Sequence, residues 1–293
     1  MDMSHHQSAI LKNLSHVESE SANIPDHRNA NSNQVSFADG RINKLQAKVW
    51  NPNNPESWES DLRGYHSVES SDYALPSDEI EQNRLEIQHY ILRAYFHGDV
   101  VCPEANELIK NDGVQVLDVG CAKGFWLESL RKENPFSEYH GVDIAENLIS
   151  AYGNISIKFG NILERLPYDD NTFDYVHERY LVLGIPKDKF PDAIRELIRV
   201  TKPGGWIELV ETDVVIYNAG PHSKLLSKAM LDAMHARGLD CYGATNLEWN
   251  ANSVSANVLN QGIKTIHGPY NNDTPLGKHC ARDCKSVFRG VEN

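Results

Sequence analysis

Val114-Gln115-Val116-Leu117-Asp118-Val119-Gly120-Cys121-Ala122-Lys123-Gly124 is the stretch around which the chain is organised. Its first half is a short apolar, β-branched run, the pattern of a buried strand. Its second half ends that run with an acid and sets small residues at alternate positions, Gly120, Ala122 and Gly124. An amphipathic pattern begins at Phe125. Strand, tight small-residue turn and helix bring backbone N–H groups and a helix N-terminus close to a ligand, and favour a carboxylate or phosphate there.

From Val114 onward strands and helices alternate, which predicts an α/β fold, a Rossmann-like, doubly wound and mostly parallel sheet. Strands are expected at Val114–Val119, Glu138–Val142, Ser156–Phe159, Phe173–His177 and Trp206–Glu211. Helices are expected at Phe125–Glu133, Glu146–Ala151, Asp188–Val200 and Ser223–Arg237. Lys202-Pro203-Gly204-Gly205 reads as the turn into the fifth strand, Gly262–Ile266 as a sixth strand and His279–Arg289 as a last helix. Upstream, Pro76-Ser77-Asp78 reads as a helix start, with Asp78 and Glu81 at capping-box spacing. That helix should run to about Phe96 with Ile80, Ile87, Ile91 and Leu92 as its apolar face. Glu81, Arg84 and Gln88 share another face, which periodicity alone reads as solvated.

Residues 1 to about 60 are rich in Ser, Asn, His and acids, and are expected to form a disordered tail in which Trp50 and Trp58 stand out. His5 and His6 read as part of that polar tail. The division expected is a tail over 1–60 and one domain over 61–293, made of a helical cap segment (61–112) and a Rossmann-like core (113–293).

With 293 residues and 40% apolar content the chain supports a real core, while a mean hydropathy of -0.49 implies that part of it stays unpacked. A net charge of -13 argues against a nucleic-acid partner held through a broad basic surface. No run approaches the roughly 18 apolar residues of a membrane span. Residues 1–30 hold no apolar leader segment, and the five cysteines are odd in number and scattered. An intracellular setting is expected, cytoplasmic or nuclear. His279, Cys280 and Cys284 form a single C-x3-C without a second pair, so no metal is expected.

In a doubly wound sheet, ligands bind beyond the carboxyl ends of the strands. Three strand ends carry matching chemistry: the Asp118–Gly124 turn; Gly141-Val142-Asp143 followed by Ile144; and Phe159-Gly160-Asn161-Ile162. An acid 19 residues past Gly124 is placed to accept ribose hydroxyls. Asn161 can reach an adenine edge while Ile162 packs on the ring. Dinucleotides and S-adenosylmethionine both fit such an acid. The dinucleotide fingerprint is G-x-G-x-x-G, whereas this turn is D-x-G-x-A-x-G.

That pattern resembles motif I of the class I S-adenosylmethionine-dependent methyltransferases. Asn161-Ile162, Leu166-Pro167-Tyr168, Asn171–Val176 and Leu197–Gly205 resemble the same family's adenine-side loop, fourth strand and lead-in to the fifth. A narrower resemblance, over roughly Tyr65 to Gly290, is to the fungal LaeA-like methyltransferases. It rests on Tyr73–Asp78, Glu81, Arg84-Leu85, Gln88-His89, Arg179–Gly184, Gly204–Glu211 and Lys285–Gly290. The resemblance implies S-adenosylmethionine as cofactor. It implies that Asp118 contacts the cofactor's amino group, that Gly120, Ala122 and Gly124 admit the methionine part, that Asp143 holds the ribose, and that Asn161 and Ile162 bracket the adenine. Tyr73 and Arg84 become candidates for a lid over the cofactor.

Two positions depart from the family pattern. Ala122 replaces a central glycine, and its methyl either crowds the cofactor or demands φ < 0. Asn161 replaces the usual acid, and its carbonyl can accept from the exocyclic amine. For catalysis, His177 is the general-base candidate at the end of strand four, with the alternative that it is simply packed there. Arg179 can position an anionic group. The family's sheet finishes with an antiparallel seventh strand, which is not visible near the C-terminus, so a sheet lacking its last strand is expected. The functions weighed are methyl transfer to a small molecule in secondary metabolism, a LaeA-like regulator acting through protein partners, a cofactor-binding relic, and a dinucleotide oxidoreductase with the wrong fingerprint spacing.

Overall fold

A computed structural model describes residues 3–13, 73, 75–148, 150–216, 220–254 and 258–269. Its strands are β1 (Met3–Asn13), β2 (Gln115–Val119), β3 (Glu138–Asp143), β4 (Ser150–Tyr152), β5 (Ile155–Phe159), β6 (Phe173–Arg179), β7 (Thr201–Thr212) and β8 (Val258–Pro269). Its helices are α1 (Glu79–Phe96), α2 (Pro103–Ile109), α3 (Phe125–Glu133), α4 (Phe190–Val200), α5 (Pro221–Ala236) and α6 (Gly243–Asn252).

The strands lie in the order β4-β5-β3-β2-β6-β7-β1-β8. The run β5-β3-β2-β6-β7 is parallel throughout, the Rossmann-like arrangement expected. Of the expected tail, Met3–Asn13 pairs antiparallel with both β7 and β8. The antiparallel strand beside β7 therefore comes from this end of the chain. The tail's remainder, including Trp50 and Trp58, lies outside the described residues, as do His279, Cys280, Cys284 and the helix expected at His279–Arg289.

Alternation along the strands builds two cores, one on each face. Leu117, Val176, Ile207 and Leu209 face α4, which supplies Phe190, Ala193, Ile194, Leu197 and Val200 from a single helical stripe. Val116, Tyr139, Tyr175 and Trp206 face the other way, onto Trp126, Leu127 and Leu130 of α3 and onto Ala105 and Ile109 of α2. Each large side chain so buried contributes about 2 kcal/mol.

Two local expectations change. Glu146–Ala151 is not a helix: a single 3-10 turn (Glu146–Leu148) leads into β4, and Tyr152 pairs with Ile155 across Gly153-Asn154. Gly153, at φ 60, supplies the left-handed residue of that two-residue hairpin. The second change concerns α1. Its start is as expected, Asp78 Oδ1 accepting Glu81 N–H at 2.9 Å. Yet Ile80 is exposed while Glu81, Gln82, Arg84 and His89 are buried beside Ile91 and Leu92. The helix turns a polar face inward.

Candidate ligand-binding site

Gly120, Ala122 and Gly124 all adopt left-handed backbone, at φ 73, 50 and 76. Of the two alternatives expected for Ala122, this rules out φ < 0. What holds Ala122 there is Asp143, whose Oδ2 accepts the Ala122 N–H at 2.9 Å while Oδ1 accepts the Ala145 N–H at 2.9 Å. Gly120 N–H and Cys121 N–H both donate to the Val142 carbonyl, which ties the turn to the end of β3. A Cβ at Gly120 would stand 2.5 Å from Leu181 Cδ2, so close approach as well as positive φ requires glycine.

Asp118 and His177 are register partners on β2 and β6, so their side chains share the α3 face. His177 Nδ1 lies 2.8 Å from Asp118 Oδ1, and the imidazole stacks on Trp126 with ring centroids 4.1 Å apart. His177 is 1% exposed and does not line the cavity described below. Of the two readings of His177, this fits the packed one and not a base at the acceptor face: His177 sits behind Asp118, and it is Asp118 that reaches the cavity. No donor among the described residues reaches Asp118 Oδ2.

On the opposite face, Glu178 and Glu211 are both buried, and each Oε1 accepts the Leu181 N–H, at 3.1 and 2.9 Å. Burial first, then the neighbouring Glu178 carboxyl, push Glu211 well above the ordinary carboxylate value. Burial raises Glu178 to about 7. Two such acids share one amide only if a proton is held between them. They fix the chain reversal at Tyr180-Leu181, where Tyr180 is itself left-handed at φ 61.

The inward face of α1 covers these strand ends. Arg84 donates through Nε (3.0 Å) and Nη2 (2.7 Å) to Glu81 Oε1, a buried ion pair. Tyr73 packs against Gly184, its Cδ2 lying 3.2 Å from where a Cβ would stand. Arg179, at the end of β6, brings Nη2 to 3.4 Å from His89 Nδ1. Burial, followed by the Arg179 and Arg93 charges, holds the His89 imidazole well below its ordinary value, so it is neutral and accepts from Arg179. His89 Nε2 lies 3.9 Å from Asp99 Oδ1. The other oxygen of Asp99 accepts from Arg93 Nε at 3.0 Å and Ser129 Oγ at 2.7 Å.

Between this cover and the sheet lies a cavity of about 250 Å3. Tyr73, Arg84, Asp118, Gly120, Ala122, Asp143, Ile144, Asn161, Ile162 and Arg179 all line it. Of the expected site residues, only His177 and Gly124 do not; Gly124 caps α3. Asn161 Oδ1 accepts the Leu163 N–H at 3.0 Å, which turns the loop after β5. Cys121 is a buried free thiol whose pKa burial pushes well up, consistent with a small residue that simply fits the turn. Among the described residues, no helix is long and apolar enough to cross a membrane and no group of three metal-ligating side chains occurs.

Sequence reasoning missed the Glu178–Glu211 pair, the Asp118–His177–Trp126 stack and the inward turn of Glu81, Gln82 and His89. For the first two a signal existed: strand parity places Asp118 with His177 on one face and Glu178 with Glu211 on the other. For α1 there was none, because periodicity groups residues on a face without saying what the face meets.

Residues 116–205 match the family described as "Methyltransferase domain". The chain is 32% identical over 161 residues to the secondary metabolism regulator laeA of Coprinopsis cinerea, covering 53% of this chain and 39% of that protein. It is 33% identical over 144 residues to the N-methyltransferase sirN of Leptosphaeria maculans, covering 48% of this chain and 50% of that one. The chain thus spans half or less of the length of these curated relatives. A solved S-adenosylmethionine-dependent methyltransferase from Aquifex aeolicus is 20% identical, covers 53% of this chain and 87% of its own, and has a TM-score of 0.35. Residues 116–205 thus match a methyltransferase domain, in a chain that resembles the LaeA-like proteins.

Proposed function

We propose that this protein transfers the methyl group of S-adenosylmethionine to a small-molecule acceptor. The observation that carries the reading is the convergence of three strand ends, Asp118–Ala122, Asp143-Ile144 and Asn161-Ile162, on one cavity. The lining fits the cofactor. Asp143 lines the cavity at the end of β3, with its carboxylate fixed by the Ala122 and Ala145 N–H groups, where ribose hydroxyls would donate to it. Ile144 and Ile162 supply apolar walls for the adenine ring. Asn161, whose carbonyl oxygen accepts the Leu163 N–H, stands at the ring edge. Asp118, oriented by His177, presents Oδ2 to the cofactor's ammonium.

Bound there, S-adenosylmethionine supplies an activated methyl group, and the protein's task is to place the acceptor in line and exclude water. Leu183, Val214, Val215, Ile216 and Met230 extend the same cavity with apolar wall, which suits a compact, largely apolar acceptor better than a peptide strand. His177, away from the cavity, supplies no base, and an acceptor nucleophilic in its resting form needs none.

Calorimetric titration tests the reading: S-adenosylmethionine should bind with micromolar affinity, and Asp143→Ala should abolish binding. No detectable binding to the wild-type chain would sink the proposal, and preference for NAD would replace it with a dinucleotide enzyme. Similarity to the regulator laeA favours a second reading, a regulatory methyltransferase acting through protein partners in the cytoplasm or nucleus. Incubating extracts with methyl-labelled S-adenosylmethionine separates the two, since label in small molecules supports the first and label confined to protein the second.

A further inference from the structure

The ends of β5, β3, β2 and β6 stand side by side in that order. They present Asn161-Ile162, Asp143, Asp118–Gly120 and Arg179 respectively. The parallel register places Val119 beside both Val142 and Glu178, so Arg179 is level with Gly120 on the neighbouring strand. From β5 to β6 is three strand spacings, about 14 Å at roughly 4.8 Å each. That span suits a nucleoside amino acid laid lengthwise, with its base over β5, its ribose over β3 and its amino acid end over β2 and β6.

The amino acid end carries a carboxylate as well as an ammonium. A carboxylate leaving water for a half-buried cavity needs a cation. Among the described residues, Arg84 and Arg179 are the arginines lining the cavity, and no lysine lines it. Arg84 is already neutralised by Glu81, with Nε and Nη2 converging on one carboxylate oxygen. Arg179 has no carboxylate partner among the described residues, and its polar contact is with the neutral His89 ring. His89 in turn has Asp99 behind it. The guanidinium is thus aimed without being neutralised.

We propose that Arg179, oriented by His89, is the carboxylate subsite for the methionyl end of the cofactor. Arg84, by contrast, is a structural part of the cover. This rests on the S-adenosylmethionine reading above and reassigns Arg179 from the acceptor to the cofactor. Guanidinium and carboxylate pair through two parallel N–H···O bonds, a geometry that lysine cannot reproduce.

The test compares S-adenosylhomocysteine with 5′-methylthioadenosine, which keeps the nucleoside and thioether but lacks the amino acid group. Both are titrated into the full chain by calorimetry. Arg179→Gln is expected to weaken S-adenosylhomocysteine binding at least tenfold and to leave 5′-methylthioadenosine within twofold. Arg179→Lys should fall between the two, and its point charge keeps the test readable if Arg179→Gln does not fold. Arg84→Met should shift both ligands alike. An unchanged affinity ratio in Arg179→Gln overturns the proposal and returns Arg179 to the acceptor. Failure of both ligands to bind the wild-type chain is a different outcome, which removes the methyltransferase reading itself.

Discussion

His177 Nδ1 and Asp118 Oδ1 stand 2.8 Å apart, both side chains buried, with the imidazole stacked on Trp126. Adjacent parallel strands in register produce this pairing, and it leaves the carboxylate with one oxygen for the protein and one for a ligand. His177 is accordingly a positioning residue. Replacing it with Phe keeps ring packing but leaves Asp118 without its buried donor. That should cost about 1–3 kcal/mol of stability and weaken S-adenosylhomocysteine binding about tenfold. His177→Asn places a side-chain N–H near the position of Nδ1 and should restore most of the affinity. Equal affinities for wild type, Phe and Asn variants, read by calorimetry, would show that His177 does not act through Asp118.

Ala122 is a non-glycine residue at φ 50 in the ligand-binding turn. Left-handed backbone costs an L-residue about 1–2 kcal/mol, so Ala122→Gly should stabilise the chain by about 1 kcal/mol net of glycine's larger unfolded-state entropy. Urea unfolding measures this. A destabilised Gly variant would mean that the Ala122 methyl makes contacts worth more than the strain.

The Glu178–Glu211 pair predicts a pH dependence whose sign is fixed. Both folded-state values lie above the unfolded carboxylate value of 4.5, Glu178 at about 7 and Glu211 well raised, because burial disfavours charge in both and the Glu178 carboxyl adds to it at Glu211. The folded state therefore binds protons more tightly than the unfolded state. The resulting stability is fully present below pH 4.5 and is lost as pH rises through 7 and above. Glu211→Gln removes one acid of the pair, so its Tm should approach and then exceed that of the wild type between about pH 5 and pH 8. Parallel Tm curves across that range would rule out the shared proton.

The Arg84–Glu81 pair is almost fully buried, with both side chains under α1's cover. Arg84→Met alone strands a buried carboxylate and should destabilise by about 3 kcal/mol. Adding Glu81→Gln should recover most of that loss, because the charge that needed a partner is gone. A double variant no more stable than Arg84→Met would show that packing of the arginine stem, not charge, is what α1 uses.

The sequence alone determined the five parallel strands β2, β3, β5, β6 and β7, the apolar stripe of α4 and the alternation that sends Leu117 and Val176 one way and Val116 and Tyr175 the other. It also determined that Asp118, Gly120, Asp143 and Asn161 would lie at strand ends, because a parallel sheet collects its carboxyl ends on one edge. These are local properties: period, parity and turn chemistry. The rest depends on partners distant in the chain. Ala122 takes a left-handed conformation because Asp143, 21 residues away, accepts its N–H. His177 lies behind the site rather than in it because its register partner is Asp118 and its ring meets Trp126. The polar face of α1 is buried because it closes a cavity containing Arg179 and Asp143, and helical periodicity carries no information about what a face will meet.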